Sequence, residues 1–90
     1  MATTCYNLGN LYSDTGRMAE AEAEYLRAKE IRERLAEVYP RAYLPGLINV
    51  YNNLRILYGK EMGDLERAIP VFEKMQALQA RLDALNRGDD

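Results

Sequence analysis

The stretch Cys5-Tyr6-Asn7-Leu8-Gly9-Asn10-Leu11-Tyr12 decides the fold, because it returns as Tyr51-Asn52-Asn53-Leu54-Arg55-Ile56-Leu57-Tyr58. Cys5, Leu8 and Tyr12 match Tyr51, Leu54 and Tyr58, and a second set follows each copy: Gly16, Ala21 and Tyr25 match Gly63, Ala68 and Phe72. Leu8 and Leu54 lie 46 residues apart, whereas Ala21 and Ala68 lie 47 apart, so one residue has entered the second copy around Gly59-Lys60-Glu61-Met62. An internal duplication of this period is the mark of a solenoid.

Between the repeated blocks the apolar residues recur at helical spacing. Cys5, Leu8, Leu11 and Tyr12 share one face. Ala21, Tyr25, Ala28, Leu35 and Tyr39 share a second, and Leu47, Val50, Tyr51, Leu54, Leu57 and Tyr58 a third. Glu30 and Arg34 are spaced to pair on an outer helical face. Breaks fall at Asp14-Thr15-Gly16, at Tyr39-Pro40 with Pro45 soon after, and from Gly59 to Asp64. Gly16 and Gly63 can adopt the angles that end a helix, Pro40 expels Tyr39 from helical geometry, and Asp64 can cap the next helix. The pattern predicts an all-α chain of four antiparallel helices, over Thr3–Ser13, Met18–Tyr39, Gly46–Tyr58 and Leu65–Asn86. Pro70 is expected to kink or loosen the start of the last one. Beyond it, Val71, Met75, Leu78, Leu82 and Leu85 alternate four- and three-residue steps, a seam that seeks a partner helix.

The quoted blocks resemble the tetratricopeptide repeat, whose pattern is aromatic-x2-Leu-Gly-x2-Tyr, a turn glycine, then Ala-x3-aromatic. Small residues at Gly9, Ala21 and Ala28 let paired helices approach, while Tyr12 and Tyr25 fill the space between them. The resemblance implies two stacked hairpins, repeat one over about residues 2–40 and repeat two over about 41–87, with 88–90 as a frayed tail. Pro40 arrives about two turns later than in a repeat of roughly 34 residues. The elongated second helix is similar to the long variant of kinesin light chains and bacterial scaffold proteins. Arg55 departs from the pattern, standing where Gly9 stands in the first copy. Its charge must reach solvent along the hairpin or meet a carboxylate of a partner.

In this family the first helix of each hairpin lines the inner curve. The resemblance therefore implies a polypeptide-binding surface made of Thr3, Tyr6, Asn7, Asn10 and Ser13 with Asn49, Asn52, Asn53, Ile56 and Lys60. Five of these are asparagines, whose amides match the N–H and C=O of an extended peptide without selecting a side chain. Family members that clamp a terminal carboxylate use lysines and arginines beside asparagines. Asn10 and Asn53 fit that scheme, but Tyr6 replaces the first lysine, which points to an apolar or proline-containing segment instead of a chaperone tail.

Composition excludes other classes. With no histidine and a single cysteine, the chain lacks the commonest general base and metal ligand, and no cofactor or enzymatic activity is expected. Cys5 falls among apolar residues and reads as a small hydrophobe. A net charge of −2 with interleaved signs offers nucleic acid no basic stripe. No stretch reaches the roughly 18 apolar residues of a membrane span, and the N-terminus does not resemble a signal peptide, so a cytoplasmic protein is expected. Two repeats are few for a solenoid. Either the chain belongs to a longer array, or it self-associates through the Met75, Leu78, Leu82 and Leu85 seam as a homo-oligomer.

Overall fold

The computed structural model describes residues 2–88. They form helices α1 (Ala2–Asp14), α2 (Met18–Val38), α3 (Pro40–Ile56) and α4 (Leu65–Asn86), with a π-helical turn over Leu57–Glu61 continuing α3. The all-α repeat architecture is as expected. The tail residues 89 and 90 lie outside the described residues, while Gly88 ends α4 with φ +78° and donates from its N–H to the Leu85 carbonyl at 3.0 Å.

Local chemistry sets the helix ends. Gly16 and Gly63 sit at φ +79° and +66°, the left-handed region that a glycine enters without steric cost. The Asp64 carboxylate accepts the Arg67 N–H at 3.2 Å and caps α4. In the first hairpin the Arg17 N–H closes the turn onto the Tyr12 carbonyl; in the second, the Asp64 N–H closes onto Tyr58. These are matching tyrosines, and the second ring is longer by the inserted residue. The insertion is absorbed inside the helix, where the Met62 N–H reaches back to the Leu57 carbonyl at 2.9 Å, the five-residue step of a π-turn.

Several expectations are corrected. The third helix begins at Pro40 instead of Gly46, and the break shrinks to Tyr39, which is exposed and contributes nothing to the inner face of α2. Pro40 is the first residue of α3, where a missing N–H costs nothing, and Pro45 is the sixth. Pro70 is likewise the sixth residue of α4, which runs through it unbroken. Each proline deprives one carbonyl, of exposed Arg41 or Glu66, of its helical donor, a loss that water can make good. Burial of Leu44 and Leu47 holds the first turns of α3 in place despite Pro45. Leu11 is exposed instead of facing the core. On α2 the ion pairs are Arg27–Glu24 and Lys29–Glu33, not Glu30–Arg34.

The interior divides into two clusters. One joins the hairpins: Ala21, Tyr25 and Ala28 of α2 meet Val50, Leu54, Leu57, Tyr58 and Ala68, with Cys5 half-buried beside them. The other gathers Ala36, Leu44, Leu47 and Tyr51 around Leu78, Leu82 and Leu85, with Met75 packed alongside. The α4 seam therefore finds its partner helix within the same molecule. Hydrogen bonds tie the layers: Tyr51 donates to Glu33 at 3.0 Å, Tyr58 to Glu22 at 2.6 Å, and Arg41 to the Leu85 carbonyl at the end of α4. No helix of the described residues is long and apolar enough to cross a membrane.

Candidate functional site

Helices α1 and α3 lie side by side, and the ring of Tyr25 rises between them from α2. It can do so because Gly9 has no side chain: a Cβ there would come within 2.6 Å of the ring. Asn10 Oδ1 accepts two hydrogen bonds, from the Tyr25 hydroxyl at 2.5 Å and from Asn53 Nδ2 at 3.0 Å. One residue from each of three helices thus converges on a single oxygen. Burial raises the Tyr25 phenol above its ordinary value of 10, with Tyr6 and Asp14 adding to the rise and the neighbouring Asn53 amide opposing it. The phenol stays neutral and donates.

Above this floor opens a cleft of roughly 360 Å³ walled by Ser13, Asp14, Ile56, Leu57 and Glu61. Asp14 and Glu61 bring two carboxylates to it. Asn10 Nδ2 and Asn53 Oδ1, which the floor network does not use, supply one further donor group and one acceptor.

The ten residues expected on this face fall into separate neighbourhoods. Asn10, Ser13, Asn53 and Ile56 meet in the cleft. Thr3 lines a groove with Arg32, Tyr43 and Gly46, and Tyr6 lies beneath the Arg32 guanidinium, 5.1 Å from its ring centroid. Asn7 and Asn49 are exposed. Asn52 accepts from Arg55 Nη2 at 2.8 Å, and Lys60 belongs to a different groove, shared with Arg55 and Phe72. Sequence reasoning missed Tyr25, Asp14 and Glu61. Asp14 stands one helical turn beyond Asn10, a spacing that could have placed it; Glu61 is displaced by the π-turn and could not have been placed that way.

Arg55 is half-buried. Its guanidinium stacks over Phe72 at 5.7 Å from the ring centroid and bonds Asn52, while Nε is buried without a hydrogen-bond partner. Tyr25, covered by the second hairpin, is 3% exposed, whereas Phe72, beneath Arg55 and with no helix over it among the described residues, is 40% exposed.

Residues 2–35, comprising α1, the glycine turn and most of α2, match the tetratricopeptide repeat family. The first hairpin is a tetratricopeptide repeat. Its second hairpin repeats the same helix–turn–helix arrangement with one residue added and one small residue lost. Comparison with curated proteins and with solved structures returned no match. Tetratricopeptide repeats generally mediate protein–protein interactions.

Proposed function

We propose that this protein acts by binding, without catalysis, and that its ligand is an extended polypeptide segment carrying a lysine or arginine, laid across the face formed by α1 and α3. The observation that carries the reading is the Asn10–Asn53–Tyr25 network at the floor of a cleft whose walls include two carboxylates. The unspent Asn10 Nδ2 and Asn53 Oδ1 match a backbone carbonyl and a backbone N–H, and Asp14 and Glu61 favour a cationic side group. Ile56 adds an apolar contact, and exposed Asn7 and Asn49 extend the polar face to either side.

A peptide selected against the protein from a random displayed library supplies the probe. Asn53→Ala is expected to weaken its binding about tenfold, the value of roughly one hydrogen bond to a well-placed partner. Asp14→Asn with Glu61→Gln should weaken it further and flatten its salt dependence. Fluorescence anisotropy measures both, with circular dichroism verifying helicity. Undiminished affinity in both variants would sink the proposal. Self-association through Met75, Leu78, Leu82 and Leu85 is not favoured, because those leucines are at most 9% exposed within the protein's own core.

A further inference from the structure

The junction between the hairpins shows what a tetratricopeptide hairpin of this protein presents to the next helix. Val50, Leu54 and Leu57 of the second hairpin seat against Ala21, Tyr25 and Ala28 of the first. The same two sets of positions recur on the outer faces of the two hairpins, where Phe72 and Leu11 are exposed and no helix of the described residues covers them, although Ala68 itself is buried. On the second hairpin, Ala68 and Phe72 stand for Ala21 and Tyr25. They line a groove of roughly 460 Å³ with Arg55, Ile56, Gly59, Lys60, Leu65 and Ile69. Leu65 is 64% exposed and Ile69 57%, an apolar patch with no helix over it among the described residues. On the first hairpin, Thr4, Leu8 and Leu11 stand for Val50, Leu54 and Leu57. Leu57 is 1% exposed in its seat, whereas Leu11 is 55% exposed.

We propose that the groove of one copy seats α1 of a second copy, extending the internal hairpin junction head to tail between molecules. Leu11 of the incoming helix takes the place that Leu57 takes within one molecule, over Ala68 and beside Ile69. Asn7, the counterpart of Asn53, comes beside Arg55 at the groove wall. The polar clasp of the internal junction is replaced by apolar contact, since Glu22, which holds Tyr58 and Arg67, has Ile69 as its counterpart. The fit between unlike surfaces is heterologous, so copies add head to tail and are not limited to a symmetric dimer. This surface is separate from the Asn10–Asn53 cleft, and the proposal stands or falls independently of peptide binding.

Sedimentation equilibrium of the full protein tests it with two charge variants at exposed positions, Leu11→Glu and Ile69→Glu. The wild type should gain average mass with concentration and pass that of a dimer in the millimolar range. Each variant alone should remain monomeric, because one carries a ruined plug and the other a ruined socket. Mixed in equal amounts, they retain one intact plug and one intact socket between them and should form a heterodimer that grows no further. A wild type that stays monomeric, or that stops at a dimer as a symmetric contact would, overturns the proposal. So does a mixture that stays monomeric.

Discussion

Residue 9 and its counterpart 55 separate the two hairpins more than any other difference. Gly9 lets the Tyr25 ring lie flat against α1, and the ring's hydroxyl then reaches Asn10. Arg55 lies over the Phe72 ring, and both line an open groove. Substituting Gly9→Ala gains about 1 kcal/mol of helix propensity. It also drives a methyl into a ring pinned by burial and a hydrogen bond, a kind of overpacking that costs about 1–3 kcal/mol. The clash should win, lowering stability in urea melts by about 1 kcal/mol; a stabilised variant would show that the ring yields freely. Part of this was legible in the sequence, where Gly9 and Arg55 stood out against a repeated pattern. The exposure of Phe72 was not, because a pattern of residue types records which positions match and not which of them a neighbouring helix covers.

At the scale of elements, the four helices and the duplication followed directly from periodicity, and the inserted residue was visible as a change of offset from 46 to 47. Its form was not visible: the protein widens one helical turn at Leu57–Glu61 instead of lengthening the loop. Deleting exposed Lys60 should return the second turn to the spacing of the first, with helicity retained and the thermal midpoint unchanged or raised. Deleting Ser13 from the first turn, which has no residue to spare, should unfold the hairpin. Circular dichroism distinguishes these, and collapse of the Lys60 deletion would contradict the account. The start of α3 was hidden by Pro45, since a proline at a sixth helical position reads as a break. Only the burial of Leu44 and Leu47 against α2 and α4, a tertiary effect, carries the helix through it. The α4 seam was visible as a seam, but whether its partner lay inside or outside the molecule depended on the path of α3.

The whole molecule is a slab of 41 × 27 × 15 Å in which Tyr25 of α2, Tyr51 of α3 and Tyr58 of the π-turn bridge the layers. Burial is the leading cause of the raised phenols of Tyr51 and Tyr58, and the carboxylates of Glu33 and Glu22 add to it through charge and hydrogen bonding. Arg67 partly offsets the rise at Tyr58. Together with Tyr25, these phenols keep their protons in the folded protein at a pH where unfolded ones, near 10, have lost theirs. Their stabilisation is complete below pH 10 and is lost as pH rises toward the folded values. The loss is at most about 1.4 kcal/mol per pH unit for each phenol. Urea midpoints should therefore fall between about pH 10 and 11.5, less steeply in Tyr51→Phe, while tyrosinate absorbance shows the phenols ionising on unfolding; a flat profile would remove this contribution. The proposed binding face of α1 and α3 was legible in the sequence only in outline. Its asparagines could be picked out by spacing, but the cleft depends on Tyr25 from a third helix and on Glu61 from the π-turn. The most direct test of that face is a titration of the isotope-labelled protein with a library-selected peptide, followed residue by residue through amide chemical shifts. The account predicts the largest shifts at Asn10, Ser13, Asp14, Asn53, Ile56 and Glu61; shifts concentrated on the outer faces of α2 and α4, with those six unmoved, would contradict it.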